Sequence, residues 1–241
     1  MRVAVISDIH ANLYALEAVL GEIDVEKPDA LWCLGDLVGY GARPNECCRL
    51  VQERADLCLI GNHDLVALGV LGIEDFNPEA AEAARWTANA LDEESRSFLA
   101  SLPSSAAPEH AQLFHASARD PVWEYVLTDE AATATLLLTI APVVLVGHSH
   151  IALAVTLGDG VVEGGLAPGG TTKELGGRWL LNPGSVGQPR DGDPNAAWLL
   201  LDFEARFASF RRVAYPIQET QRELRDAGLP EALASRLAVG Q

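Results

Sequence analysis

The sequence predicts an α/β fold, and three observations lead to that prediction. Short apolar segments alternate with segments of helical character through the first 146 residues, which is typical of α/β proteins. Beyond residue 150 the pattern changes to strand-like segments linked by glycine-rich turns. No internal repeat or linker separates the two regions. We therefore expect a single domain over residues 1–241 with a mixed sheet system.

Strands and helices of the first region follow one another in order. Five apolar runs predict buried strands at residues 3–6, 30–34, 57–60, 112–115 and 143–146. The helices predicted between them cover residues 13–21, 44–54, 78–99 and 128–140. Asn12 can cap the first helix.

The second region is predicted to be mainly strand. Its strands cover residues 151–157, 178–181, 197–202 and 207–213, followed by a helix over 218–227. Residues 158–177 begin with a glycine-rich, turn-forming stretch, so we expect an exposed hairpin or a mobile loop there.

Composition and charge exclude several classes of protein. The chain has 34 acidic and 17 basic residues and a net charge of −17, which argues against binding to bulk nucleic acid or to anionic membranes. No apolar run reaches the roughly 18 residues that span a bilayer, and the first ten residues lack the apolar region of a signal peptide. The four cysteines form no CxxC pair, which favours reduced thiols and a cytoplasmic location. They are Cys33, Cys47, Cys48 and Cys58.

Polar residues cluster where the five strands of the first region end. Five of the six histidines lie at these ends, and only His110 does not. The carboxyl ends of strands in an open α/β sheet are where ligands bind, so these residues can converge on one site. They are Asp8, His10, Asp36, Asn62, His63, Asp64, His115, His148 and His150.

Imidazole and carboxylate ligands indicate a transition-metal site. They suit manganese, iron, zinc, cobalt or nickel, and the absence of thiolates argues against a structural zinc finger. Two divalent ions would bring four positive charges, of which Asp8 and Asp36 offset two. Water bound there would be acidified toward neutral pH, and a phosphate group would be attracted.

These motifs together resemble the calcineurin-like metallophosphoesterase family. The matching motifs, in family order, are Asp8-x-His10, Gly35-Asp36, Gly61-Asn62-His63-Asp64, His115 and Gly147-His148-x-His150. Residues 35–46, 115–126 and 182–194 are similar to its small bacterial predicted-phosphodiesterase branch, and the resemblance covers about residues 1–215. It implies a four-layer αββα sandwich of two mixed β-sheets flanked by helices.

The resemblance also implies roles for individual residues. Asp8, His10 and His150 would bind one metal ion. Asn62, His115 and His148 would bind a second, and Asp36 would bridge the two. His63 would orient the phosphate and protonate or stabilise the leaving oxygen, with Asp64 as a catalytic partner that orients its imidazole. Manganese is the expected ion, with iron, zinc, cobalt or nickel as alternatives.

The sequence departs from the family's phosphoprotein phosphatases at one position. Those enzymes carry an Asp-Arg-Gly stretch after their Gly-Asp, where this chain has Gly39-Tyr40-Gly41. Arg119 and Arg190 are candidate substrate clamps, with a surface ion pair as the alternative for each. Tyr40 could stack on a base or aryl group, or simply pack in a turn. Trp123 is interpreted, like three other tryptophans, as a core or interface residue rather than as a platform for a nucleobase.

Three hypotheses about function follow. The first is a dinuclear phosphoesterase that hydrolyses phosphodiesters or nucleotides with a metal-bridging hydroxide. The second is a phosphomonoesterase, including a phosphoprotein phosphatase. The third is a non-catalytic scaffold that keeps the fold, similar to the retromer subunit of this superfamily. The expected partner is a small phosphorylated substrate, and the protein is expected to be a monomer or a homo-oligomer.

Overall fold

The computed structural model describes all 241 residues and contains two six-stranded mixed sheets and eight helices. The strands are β1 (Arg2–Ile6), β2 (Ala30–Cys33), β3 (Leu57–Cys58), β4 (Ser105–Ala106), β5 (Ala111–Phe114), β6 (Val143–Leu145), β7 (Leu153–Gly158), β8 (Val161–Leu166), β9 (Thr172–Glu174), β10 (Trp179–Asn182), β11 (Ala196–Asp202) and β12 (Phe207–Val213). The helices are α1 (Leu13–Glu26), α2 (Pro44–Arg54), α3 (Asn62–Ala67), α4 (Pro78–Ala90), α5 (Glu93–Ala100), α6 (Asp129–Leu138), α7 (Ile217–Asp226) and α8 (Glu231–Arg236).

The two sheets pack face to face with helices outside. The first sheet has the order β3-β2-β1-β11-β12-β9, and the second has the order β4-β5-β6-β10-β7-β8. Alternate residues of β1 face opposite sides, as the period of a strand requires. Val3 and Val5 lie in the apolar core between the sheets, whereas Ala4 and Ile6 pack against the core beneath α1 and α2. The predicted four-layer α/β sandwich is therefore confirmed.

Most predicted elements form within a few residues of their expected limits, and α2 and β12 match them. The helix predicted over residues 78–99 is instead two helices. Leu91 adopts an extended conformation after α4, and the Asp92 side chain caps α5 by accepting a bond from Ser95 N. Helices α3 and α8 and the short strand β4 were not predicted.

Residues 158–177 connect the edges of the two sheets. Strand β8 pairs with β7 as an antiparallel hairpin. This agrees with the predicted hairpin rather than with the alternative of a mobile loop. Strand β9 then pairs with β12 in the other sheet. The four cysteines are free, and no helix combines the length and apolar character needed to cross a bilayer.

Candidate metal centre

The strand-end residues converge on one buried site. All nine are at most 5% exposed. Six lie in the loops that follow β1, β2, β5 and β6, and the other three form the first turn of α3, which follows β3. Three groups of side chains each bring their ligand atoms within 4.8 Å of one another. The groups are Asp8–His10–His150, His10–Asp36–His63 and Asp36–His115–His148.

Asp36 lies at the middle of the site. Its Oδ2 atom is 3.6 Å from His10 Nε2 and 3.5 Å from His115 Nε2. On one side, His150 Nε2 lies 3.0 Å from His10 Nε2 and 3.5 Å from Asp8 Oδ1. On the other side, Asn62 Oδ1 lies 3.1 Å from His115 Nε2. One carboxylate therefore touches both sets of donors.

Backbone carbonyls orient four of the imidazoles. His10 Nδ1 is 3.1 Å from Val38 O, and His115 Nδ1 is 2.9 Å from Leu34 O. His150 Nδ1 contacts Gln188 O, and His148 Nε2 contacts Trp123 O. An N–H donated to a carbonyl leaves the other ring nitrogen free to act as a ligand. Sequence reasoning missed these partners because a carbonyl group carries no residue signature.

Five of the candidate ligands have a left-handed backbone. Their φ angles lie between 50° and 62°, a region that non-glycine residues rarely occupy and that is often found at functional sites. These residues are Asp8 (55°), His10 (50°), Asp36 (53°), His148 (62°) and His150 (59°). Glycine is required beside them, because a Cβ atom at Gly61 would lie 2.0 Å from Asp36 Oδ1.

Residues 182–188 hold the Asp8 loop in place. Ser185 Oγ donates to the Asp8 carbonyl at 2.7 Å, and Gly187 N donates to the same carbonyl at 3.0 Å. Asn182 Nδ2 donates to Gly147 O at 2.7 Å and so ties the loop that carries His148. This segment therefore positions two ligand loops without supplying a ligand itself.

Burial and mutual charge set the protonation of the site. Burial lowers the pKa of His10 and of His150 well below the usual value and lowers that of His148 to about 3. Burial would raise the pKa of Asp36, but the nearby His115 and His63 hold it well below its usual range. Burial likewise disfavours a charged His115, but Asp36 outweighs it and raises the pKa of His115 to about 10. A cation held by His115 would have to displace that proton, so its affinity would increase with pH.

The donor set fits divalent transition metals. Asp36 Oδ2 is buried without a hydrogen-bond partner, and a buried carboxylate oxygen normally has one. When the Nδ1 atoms of His10 and His150 donate to carbonyls, their two Nε2 atoms carry no proton. These two acceptor nitrogens face each other and cannot form a hydrogen bond. A cation between these atoms would satisfy all of them, and imidazole with carboxylate suits Mn²⁺, Fe²⁺ or Zn²⁺.

The structure corrects the expectation for Asp64. Its Oδ1 accepts a bond from Val38 N at 3.0 Å and its Oδ2 accepts one from Gly61 N at 2.9 Å. Both carboxylate oxygens are therefore used to hold two loops together and to cap α3. Asp64 does not orient the His63 ring, whose Nδ1 is buried without a hydrogen-bond partner.

The two candidate arginines have different surroundings. Arg119 is exposed and forms ion pairs with Glu124 and Glu130, so the surface-pair alternative is correct for it. Arg190 has no acidic partner. It donates to Gln188 Oε1 at 2.9 Å and to Tyr40 Oη at 3.3 Å, and its guanidinium carbon is 5.7 Å from the Tyr40 ring centroid. Tyr40 in turn contacts the His10 and His63 rings.

Aromatic residues beside the centre were missed or misinterpreted. Trp123 is only half-buried and lies near the metal centre rather than in a core. Phe76 packs on the His63 ring, and Tyr125 stacks on the His148 ring. Their positions in two separate loops gave no local sequence signal.

Comparisons with known proteins agree with this geometry. The sequence is 36% identical to an uncharacterised protein of Methanocaldococcus jannaschii over 99% of this chain and 98% of that one. The structure resembles a metallophosphoesterase from Sphaerobacter thermophilus, with 41% identity, a TM-score of 0.90 and coverage of 100% of this chain and 99% of that one. A hypothetical protein of Pyrococcus horikoshii shares the fold, with 19% identity, a TM-score of 0.82 and coverage of 100% and 98%.

A second similarity covers about a third of the chain. The symmetrical bis(5′-nucleosyl)-tetraphosphatase of Actinobacillus pleuropneumoniae is 35% identical over 82 residues, which are 32% of this chain and 30% of that enzyme. The family model of the calcineurin-like phosphoesterase superfamily domain matches residues 1–206. With the Asp, Asn and His side chains of that family's motifs gathered at one buried centre, the chain belongs to the calcineurin-like phosphoesterase superfamily.

Proposed function

We propose that this protein is a dinuclear metal-dependent phosphoesterase that hydrolyses small phosphodiesters or nucleotides. The observation that carries the proposal is the position of Asp36, whose Oδ2 lies within 3.6 Å of donors belonging to two separate groups. One group, Asp8, His10 and His150, would hold a first ion. The other, Asn62, His115 and His148, would hold a second, with Asp36 shared. We expect manganese to be the bound ion. Because all four cysteines are free thiols, we expect the protein to act in the cytoplasm.

Bound divalent ions supply Lewis acidity that activates water and offsets the negative charge of a phosphate. The chain contributes the remaining chemistry through His63 and Arg190. Burial lowers the pKa of His63 to about 4, so the free ring is neutral near pH 7. A neutral imidazole can receive a proton or, when placed against a phosphate oxygen, donate its N–H. Arg190 has no acidic partner and can bind a phosphate oxygen through its guanidinium.

The lack of a positively charged residue at positions 39–41 bears on whether the substrate is a phosphodiester or a phosphomonoester. A monoester carries nearly two negative charges, and residues 39–41 offer none that is positive. A diester carries one, which the metal centre alone can balance. This favours phosphodiesters, and the similarity to a bis(5′-nucleosyl)-tetraphosphatase favours small nucleotide substrates.

Phosphomonoester hydrolysis is the second candidate, and Arg190 is the observation that favours it. Its guanidinium lies beside Tyr40 and could supply the positive charge that residues 39–41 lack. The non-catalytic scaffold has less support, because the ligand atoms within each of the three groups lie within 4.8 Å of one another.

The test is anaerobic reconstitution with Mn²⁺ followed by metal analysis and a substrate comparison. We expect about two equivalents of metal per chain under saturation. We then expect kcat/KM to be higher for an aryl phosphodiester than for an aryl phosphomonoester or a phosphopeptide, with a dinucleoside polyphosphate as the fourth substrate. A tenfold preference for either monoester, about 1.4 kcal/mol in transition-state binding, would favour the second candidate. Full metal loading without turnover on any of the four would favour the scaffold.

A further inference from the structure

Three aromatic side chains from two loops lie beside the metal centre, and we call them the aromatic rim: Phe76, Trp123 and Tyr125. The Phe76 ring centroid is 4.5 Å from that of His63, and the Trp123 ring packs edge-on to Phe76 at 5.8 Å. Tyr125 stacks on His148 at 4.0 Å with an interplanar angle of 24°. The rim therefore touches both a candidate ligand and the histidine that would contact the phosphate.

The rim differs from the aromatic residues of the protein's cores. Trp198 and Phe210 are each 1% exposed, whereas Tyr125 is 47% exposed and Phe76 and Trp123 are half-buried. Partial exposure alone does not distinguish the rim, because Phe207 is 41% exposed outside the site and Phe76 also packs against the apolar cluster that contains Tyr40. The rim is distinguished by its position, because its rings lie against His63 and His148 at the edge of the buried polar site, where another flat group can stack.

A fourth aromatic ring, that of Tyr40, lies between His63 and the guanidinium group of Arg190. The ring centroids of Tyr40 and His63 are 4.4 Å apart, and the guanidinium carbon of Arg190 lies 5.7 Å from the Tyr40 ring centroid. A ligand whose phosphate contacts His63 and Arg190 would thus extend its other end toward Phe76 and Trp123. With a net charge of −17 on the whole chain, a single nucleotide is favoured over a nucleic-acid strand.

We propose that the aromatic rim binds the nucleobase of a nucleotide substrate whose phosphate lies at the metal centre. The inference rests on the proposed function, because the phosphate is what places the base. Base stacking on aromatic side chains tolerates any base, so the rim selects nucleotides over alkyl phosphates without selecting among bases.

The test compares two ligands that differ only in the base. These are the phosphonate analogues of AMP and of ribose 5-phosphate, in which a methylene replaces the ester oxygen so that neither is hydrolysed. Dissociation constants are measured by calorimetry on the Mn²⁺-loaded protein. We expect the base to improve affinity by about fivefold or more in the wild type. Trp123→Ala and Tyr125→Ala should lower that ratio toward one, whereas Trp123→Phe should retain most of it. Trp123 orients His148 through its backbone carbonyl, which these substitutions keep.

Phe207→Ala is the matched control, since Phe207 is 41% exposed on β12, in a strand outside the metal centre, and the ratio should not change. A wild-type ratio near one, or a ratio unchanged in Trp123→Ala and Tyr125→Ala, would overturn the inference. If one of the two alanine variants fails to fold, the other still tests whether the rim binds the base. If the base contributes to binding but no phosphoester is cleaved, the proposed function fails and the rim stands. If esters are cleaved and the base contributes nothing, the rim alone fails.

Discussion

The central strand β11 and the loops that carry the candidate ligands are buried to a similar degree, but they are built differently. Leu199 in β11 and Asp8 in the first loop are both 0% exposed. The strand is apolar and its backbone groups pair along a regular ladder. The loops bury carboxylates and imidazoles and hold five ligands at positive φ. Such conformations cost on the order of 1–3 kcal/mol each, so the strands stabilise the loops rather than the reverse. The comparison predicts that substitutions in the two regions will affect different properties.

The largest effect is expected at Asp36, the carboxylate shared by both donor groups. Asp36→Asn removes the charge that would face two cations, and we expect turnover to fall by more than about 10³-fold. Mn²⁺ should also lose most of its effect on Tm, because an ion stabilises only the folded state that binds it. Asp226→Asn, at an exposed carboxylate at the end of α7, is the control. Normal Mn²⁺ binding by Asp36→Asn would show that Asp36 is not a bridge.

His63 separates catalysis from metal binding within the same loops. His63→Ala should retain about two equivalents of Mn²⁺ while turnover falls by roughly 10²–10⁴-fold, the usual contribution of one acid–base group. His110→Ala removes the exposed histidine outside the site and should change neither quantity. Loss of a metal equivalent in His63→Ala would make His63 a ligand, and unchanged turnover would remove it from catalysis.

A substitution of Leu199 tests whether the strands determine the stability of the protein. Leu199→Ala leaves a cavity in the core between the sheets, so the free energy of unfolding should fall by about 2–5 kcal/mol with kcat at 20 °C unchanged. Leu137→Ala on the surface of α6, where the side chain is 68% exposed, should change it by less than about 0.5 kcal/mol. Denaturant titration measures both. An equal loss of stability in the two variants would contradict the assignment of stability to the strands.

The smallest expected effect on kcat/KM is the difference between substitutions of Arg190 and Arg119. Arg190→Ala should lower kcat/KM by about 10- to 100-fold, the value of one hydrogen bond to a charged group. Arg119→Ala should change it less than about twofold, because that side chain is exposed and paired with Glu124 and Glu130. A change of less than about twofold in Arg190→Ala would mean that Arg190 does not bind the phosphate, and a large loss in Arg119→Ala would contradict its assignment as a surface ion pair.

The convergence of the candidate residues could be predicted from the sequence, because histidine and aspartate are side chains that can bind metal ions. Histidine and aspartate at the ends of apolar runs predicted both the strands and their convergence, and the nine residues do converge. The conformation of the loops could not be predicted in the same way. Positive φ at His148 and His150 has no marker in those residue types, and the carbonyl of Gln188 orients His150 irrespective of its own side chain.

Errors arose where a local pattern had two physical outcomes. Residues 78–99 contain many alanines and glutamates, but Asp92 makes a better cap than an interior helix residue and divides the segment. Asp64 follows His63 in the chain, yet its carboxylate turns back to the N–H groups of Gly61 and Val38. Adjacency in sequence was therefore a poor guide to which residue a side chain serves.

The position of β1 between β2 and β11 has a consequence for synthesis on the ribosome. Arg2 pairs with Asp202, and the Asp8 carbonyl is held by Ser185 and Gly187. Chains emerge from their N-terminus, so the first strand leaves the ribosome long before its central partner exists. Contacts this distant in sequence form slowly, since a large loop must close first. The candidate ligands encoded first in the chain thus reach their final positions only after residue 202 is free, so any metal ion would be captured at the end of folding rather than at its start.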